Sequence, residues 1–252
     1  MPSPVLQVHS LVKRFAGGFL KPRRTVLAGV DLDVQAGEVF GFFGQNGAGK
    51  STTNKIVLGF MRPDSGDCRV MGKQCLDDAA RAHVGYLPEN PAYYEFLTGP
   101  ELLAYAAALF GLPAAEGRRR ARALLERVGL GREGDKRIGQ YSKGMRQRVG
   151  LAQALINEPE FLILDEPFEG LDPLGRQLLK EIIGEERKRG AAVFLCSHQL
   201  LDAEGLCDRA AILNEGRVAE TGTIAELKSR HPGLNLEQIF IRIVRGPVAA
   251  AS

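Results

Sequence analysis

The segment GFFGQNGAGKSTT, residues 41–53, constrains what this chain can fold into more than any other. From Gly44 to Ser51 it has the spacing G-x-x-x-x-G-K-[ST], behind the apolar run EVFGFFG and ahead of a helical pattern. That context calls for a strand, a glycine-rich turn and a helix, with the turn at the carboxyl end of a parallel sheet. Glycines at 44, 47 and 49 let the backbone direct its N–H groups inward around phosphate oxygens, and the helix start adds partial positive charge. Lys50 supplies a point charge, the Ser51 hydroxyl is a hard oxygen suited to Mg²⁺, and Thr52 can donate to phosphate. Gly44, Gln45, Asn46, Gly47, Ala48, Gly49, Lys50, Ser51 and Thr52 are therefore a candidate phosphate cradle.

The rest of the pattern fits an α/β architecture. Apolar and β-branched runs at VLQVHSLVKRF, TVLAGVDLDV and EVFGFFG predict a strand-rich region over residues 5–44. Residues from Pro100 to Asn157 read as helical, and FLILDE, AAVFLCS and RAAILN then return as strands separated by helices. A helical block thus interrupts an α/β core. Within it LLAYAAALFGL, Leu102 to Leu112, predicts a buried helix closed by Gly111 and Pro113. A later helix opens with Asp172 as N-cap and Pro173 at its first position, with Leu174, Leu178 and Ile182 expected on its packed face.

Two further strand ends carry chemistry. FLILDEP drives four apolar residues straight into two carboxylates, so Asp165 is a candidate to hold Mg²⁺ through water and Glu166 a candidate general base. His198 follows another apolar strand at its carboxyl end, where it could grip a terminal phosphate. His9, His83 and His231 lack such a setting and read as structural or solvated. The four cysteines, Cys68, Cys75, Cys196 and Cys207, form no C-x-x-C pair and are expected reduced and buried. The first residues lack the features of a signal peptide and no apolar run is long enough to span a membrane, so a cytosolic chain is expected.

In order along the chain, Phe15, the glycine-rich turn, Glu89 in VGYLPENP, the segment YSKGM from Tyr141, Asp165 with Glu166, GLDP from Gly170, and His198 resemble the stations of an ATP-binding-cassette ATPase, the nucleotide-binding subunit of ABC transporters. The resemblance spans nearly the whole chain. It implies a P-loop NTPase fold: a RecA-like core with a parallel sheet, an N-terminal antiparallel β region and an inserted helical subdomain over about residues 91–158 of an ATP-binding domain at 4–231, followed by a short helix and tail at 232–252. It further implies ATP and Mg²⁺ as ligands, with Lys50, Glu166 and His198 catalytic, Ser51, Glu89 and Asp165 at the metal, and Phe15 stacked on adenine. Ser142, Lys143, Gly144 and Asp172 would reach the ATP of a second copy or a homologous subunit in a head-to-tail dimer. The membrane channel would come from separate permease subunits on whose cytoplasmic face the chain sits.

Several positions depart from the family's usual residues, among them Phe15, Glu89, Lys143 and Met145, the last standing where LSGGQ has glutamine. Phe15 replaces a tyrosine, and stacking needs only the ring. Glu89 replaces glutamine and brings a carboxylate beside metal and phosphates, where it can still ligate Mg²⁺. Lys143 stands where LSGGQ has glycine, and reads either as a phosphate contact or as a solvated side chain. YSKGM in place of LSGGQ resembles drug, polysaccharide and lipid exporters, which points to export. The alternative is a soluble cassette ATPase acting on nucleic acid or the ribosome. Roughly fifty residues between Glu89 and Ser142, too few for a long coiled coil, and one cassette rather than a tandem pair oppose it, and a net charge of only +3 argues no more than weakly for it, so no nucleic-acid partner is expected. Lys21, Arg23 and Arg24 read as a basic surface loop, and Arg118 to Arg122 as the wet face of a helix that buries Leu124, Leu125 and Val128.

Overall fold

The computed structural model describes residues 4–16, 23–198 and 200–245. Lys21 of the basic loop and the small-residue tail after Arg245 lie outside the described residues. Chain order is β1 (Leu6–Phe15), β2 (Arg24–Val34), β3 (Val39–Gly44), α1 (Lys50–Val57), β4 (Ser65–Val70), β5 (Lys73–Gln74), α2 (Asp78–Arg81) and β6 (Val84–Leu87). The helical run follows as α3 (Gly99–Leu109), α4 (Ala114–Arg127) and α5 (Lys143–Ala154). The chain then alternates through β7 (Phe161–Asp165), α6 (Pro173–Lys188), β8 (Ala192–Ser197), α7 (Leu200–Glu204), β9 (Arg209–Asn214) and β10 (Arg217–Thr223), ending in α8 (Ile224–Arg230) and α9 (Leu236–Arg245).

Two sheets result. One is antiparallel in the order β2-β1-β4-β5, and the other is six-stranded in the order β10-β9-β3-β8-β7-β6. In the larger sheet β9, β3, β8, β7 and β6 run parallel, while β10 turns back antiparallel on β9. β3 thus has β9 on one side and β8 on the other, and the ends of β3, β8 and β7 carry the glycine-rich turn, Ser197 and Asp165 to the same edge. Ligands of open α/β sheets collect at such an edge.

The period-2 alternation of buried strands divides the core in two. Leu162, Leu164, Val193 and Leu195 face the layer holding α3 to α6, whereas Phe161, Ile163, Phe194 and Cys196 face α1 and the antiparallel sheet. On that second side Phe194 stacks with Phe42 at 5.2 Å and with Phe40 at 5.9 Å, a rigid floor beneath the glycine-rich turn.

The helices correct two expectations. α3 is not buried all round: Leu102, Leu103, Ala106 and Ala107 pack inward, while Tyr105, Leu109 and Phe110 are exposed. The helix after Asp172 buries a stripe through Gly175, Leu179, Ile182 and Ile183, and Leu174, to one side of that stripe, is 82% exposed. α5 begins at Lys143 with Ser142 as its N-cap. α4 does bury Leu124 and Leu125, with Val128 just beyond it, and holds Arg119 and Arg120 against Glu116 on its wet face. All four cysteines are free and buried. Among the described residues no helix is long and apolar enough to cross a membrane.

Candidate active site

The glycine-rich turn is built as its sequence requires. Gly47 has φ +81° and Gly49 φ +121°, and a Cβ on Gly49 would lie 2.6 Å from Leu27 Cδ2, so neither a side chain nor an ordinary backbone fits there. Gly49 is the N-cap of α1 and offers no side-chain acceptor, leaving the first N–H groups of the helix available to an anion. Lys50 is 6% exposed, and its ammonium donates to the Gly44 carbonyl at 2.5 Å and stands 3.7 Å from Glu166 Oε1.

A cavity of about 350 Å³ opens over this turn, lined by Arg24, Val26, Gln45, Asn46, Gly47, Gly49, Lys50, Ser51, Thr52, Glu89, Asp165 and Glu166. Ten of these are residues that the sequence singles out for the site. Arg24, read from sequence as part of a surface loop, is instead part of the cavity wall, as is Val26; both arrive through β2, which no local motif connects to the site. Phe15 does not line the cavity. It pairs with Arg24 at the end of the β1/β2 ladder, 39% exposed, with the Lys13 ammonium 5.8 Å from its ring.

Asp165 ends β7, and Glu166 follows with φ +49°, a left-handed backbone that turns its side chain away from the strand direction. The Glu166 carboxylate is 5% exposed; it accepts from Ser197 Oγ at 3.0 Å and from the His198 N–H at 3.2 Å, and its Oε1 lies 2.9 Å from His198 Nδ1. Lys50, Glu166 and His198 therefore meet in one cluster. Ser197 belongs to it too, a residue whose role sequence reading passes over because a serine at a strand end looks like a cap.

Burial pushes the Asp165 carboxyl up to about 6, and the charges of Glu166 and Glu89 add to the rise while the Asn54 amide and Lys50 oppose it. Three carboxylates, Glu89, Asp165 and Glu166, thus share one cavity with Lys50 and Arg24. With the Ser51 hydroxyl they make an all-oxygen donor set that suits a hard divalent cation completing its shell with phosphate and water.

The remaining predicted residues lie apart from this cavity. Ser142 Oγ accepts from the Met145 N–H at 3.2 Å, Lys143 pairs with Glu169, and Gly144 is close-packed on the Gly170 carbonyl, 3.1 Å from where its Cβ would be. Asp172 caps α6 by accepting from the Gly175 N–H at 2.7 Å. Glu89 also borders a second cleft, with Tyr141, Lys143, Arg146 and Gln147.

Fold and site together define a P-loop nucleotide hydrolase of α/β type. The sequence matches the family described as ABC transporter over residues 27–169. An uncharacterized ABC transporter ATP-binding protein of Nostoc sp. is 46% identical over 226 residues, 88% of this chain and 68% of the relative. A fluoroquinolones export ATP-binding protein of Mycobacterium tuberculosis is 37% identical over 226 residues, 89% of this chain and 72% of the relative. A solved structure titled as the ATP binding subunit of an ABC transporter superposes with TM-score 0.85 at 37% identity, covering 95% of this chain and 99% of the other. The chain spans about two thirds of the length of the first relatives it matches. The chain belongs to the ABC transporter family, as an ATP-binding ATPase subunit, and transport is favoured over the nucleic-acid alternative.

Proposed function

We propose that this chain is the motor of an exporter, in which it closes head to tail with a second copy or a homologous subunit around ATP and drives separate permease subunits at the cytoplasmic face of the membrane. The observation that carries this reading is the division of the site. The phosphate cavity holds Lys50, Glu166 and Asp165, while Ser142, Lys143 and Gly144, at the start of α5, are no part of its lining. A helix start that presents N–H groups away from its own chain's cavity suits the phosphate of a partner's nucleotide.

In that closed state Lys50 exchanges the Gly44 carbonyl for the β- and γ-phosphates. His198, half-exposed and hinged on Glu166, reaches the γ-phosphate. Glu166 takes the proton of the attacking water, its carboxylate held in place by Ser197 Oγ and the His198 N–H. Ser51, Asp165 and Glu89 would hold Mg²⁺, which neutralises developing phosphate charge.

The surface around α3 supports the permease as partner. Tyr94 meets Phe96 at 5.7 Å and Tyr105 at 6.3 Å, all three exposed, and a nearby groove of about 500 Å³ is lined in part by Phe60, Leu109 and Phe110. Exposed aromatic and aliphatic side chains concentrated in this way mark an interaction surface. The block over residues 91–158 would be the arm that meets the membrane subunit, and export follows the fluoroquinolones export relative.

The test is to tag the Glu166→Gln chain, solubilise native membranes gently in the presence of ATP, and identify what co-purifies by mass spectrometry. A multi-span membrane protein is the expected partner. Ribosomal proteins or nucleic acid in its place would refute the transport role.

A further inference from the structure

Asn54 is out of place among its neighbours. It lies on α1 and is 1% exposed, on the side of the helix that packs with Ile56 and Val57 into the core. A leucine would fill the same volume without any polar atom to satisfy. The carboxamide instead has Oδ1 accepting from the Cys196 Sγ–H at 3.3 Å, while Nδ2 is buried and has no hydrogen-bond partner of ordinary geometry among the described residues. A buried donor left unmet carries its full desolvation cost, so its presence in a tightly packed core asks for a function.

What that donor faces follows from the sheet. Cys196 is the register partner of Asp165 in the parallel β7/β8 ladder, so a side chain that reaches the thiol from α1 comes to the end of β7 as well. With Oδ1 committed to the thiol, Nδ2 is the amide atom left for the end of β7, where Asp165 stands beside Cys196. Turning the amide over would set oxygen against oxygen, so the thiol and the carboxylate together select one orientation.

We propose that Asn54 is a positioning residue for Asp165: its amide donor aims the carboxylate into the phosphate cavity for the metal, and the Cys196 thiol fixes the orientation of that amide. The inference rests on the ATPase reading of the cavity and extends it to two residues behind the site. It links the helix that starts at the phosphate cradle with the two strands that end in Asp165 and Ser197. Asn54 itself does not line the phosphate cavity.

The test measures binding of an N-methylanthraniloyl ATP analogue by fluorescence across a Mg²⁺ titration, with EDTA as the metal-free reference. Asn54→Leu is expected to bind the analogue in EDTA within twofold of the unsubstituted chain and to need about tenfold more Mg²⁺ for the half-maximal metal effect, the lower end of what outer-shell partners of a metal ligand contribute. Cys196→Ala, which frees the amide to turn, is expected to shift the Mg²⁺ midpoint the same way by about threefold, and it decides the matter alone if Asn54→Leu does not fold. Mg²⁺ midpoints within twofold of the unsubstituted chain, in folded variants that still bind the analogue, would overturn the role of Asn54. Failure of the unsubstituted chain to bind the analogue with or without Mg²⁺ would instead overturn the ATPase reading on which it rests.

Discussion

Exchanging the charges of Lys143 and Glu169 separates two roles that the unusual lysine of YSKGM could have. Its ammonium pairs with Glu169, and its aliphatic stem lies across Gly170, whose hypothetical Cβ would be 2.8 Å from Lys143 Cγ and Cδ. Gln147 adds a hydrogen bond to the Pro167 carbonyl at 3.3 Å, so the start of α5 is tied at several points to the loop that carries Glu166 and Asp172. As such a tie the ion pair is weak, because the two side chains are 58% and 34% exposed, and exposed pairs contribute about 0.2–1 kcal/mol. A head-to-tail dimer contains two of them, and because each pair is already formed within a single copy, their loss weakens the dimer by at most about 0.4–2 kcal/mol, a ceiling of roughly two- to thirtyfold in the dimer dissociation constant. As a donor to the partner's phosphate the same lysine would contribute about 1.5–3 kcal/mol per site, and two sites would amount to roughly a hundredfold to more than ten-thousandfold. The assay is analytical ultracentrifugation with ATP in a Glu166→Gln background. Lys143→Glu is expected to weaken dimerisation within the lower range, and adding Glu169→Lys is expected to bring it back to within about threefold of the parent. A double variant that stays a hundredfold weak would refute the tie and return Lys143 to the phosphate.

Three other outcomes follow from the site. Glu166→Gln should slow ATP turnover by about two to four orders of magnitude, the range lost with a general base, while ATP still binds; unchanged steady-state turnover would remove Glu166 from that role. Ser142→Arg should abolish ATP-driven dimerisation, because a long cation replaces the cap that holds the first turn of α5; ATP binding by the monomer should persist, and equal dimerisation by both forms in ultracentrifugation would exclude the segment from the interface. Asp165→Asn should stabilise the metal-free chain in a pH-dependent way. The folded carboxyl titrates near 6 against an ordinary 3.8, so the folded state binds the proton more tightly and stability falls as pH rises between those values, by up to about 3 kcal/mol. Thermal melts in EDTA should therefore show Asn raising Tm by several degrees at pH 7.5 and by little at pH 4; the same gain at both would refute the assignment.

The residues legible in the sequence share a physical property: each lies where a fully buried strand stops. EVFGFFG, FLILD and AVFLCS are apolar without interruption because both faces of the sheet are covered, so the first polar residue after each marks the ligand edge. Arg24 and Val26 escaped this logic because they come from the outer end of a half-buried strand of the other sheet, brought to the cavity by packing alone. Asn54 escaped it because helical periodicity labels a position inward or outward and says nothing about which strand end it meets. Leu174 fits the apolar spacing of its helix, yet the stripe that α6 buries runs through Gly175, Leu179, Ile182 and Ile183, to one side of it. Exposure of Tyr105, Leu109 and Phe110 was hidden for the opposite reason, since an apolar helix reads as buried whether the chain itself or a partner covers its second face.

Among the described residues, two helix starts that carry motif residues, those of α1 and α5, have unmet donors in a single copy. α1 begins at Gly49 without a side-chain cap, and its N–H groups open onto a cavity that already contains three carboxylates and one buried lysine. α5 has only the Met145 N–H satisfied by its cap, and the N–H groups of Lys143 and Gly144 have no acceptor among the described residues. Within one chain these two positive ends cannot serve one anion, because the segment that starts α5 does not line the cavity over α1. A polyphosphate held at α1 and covered by the α5 start of a second copy would satisfy both sets of donors at once, and its charge would be balanced from two sides. In the proposed pair, splitting the terminal phosphate from that anion would remove the group shared between the two helix starts, so the attraction that closes the pair would be lost through the reaction the pair assembles.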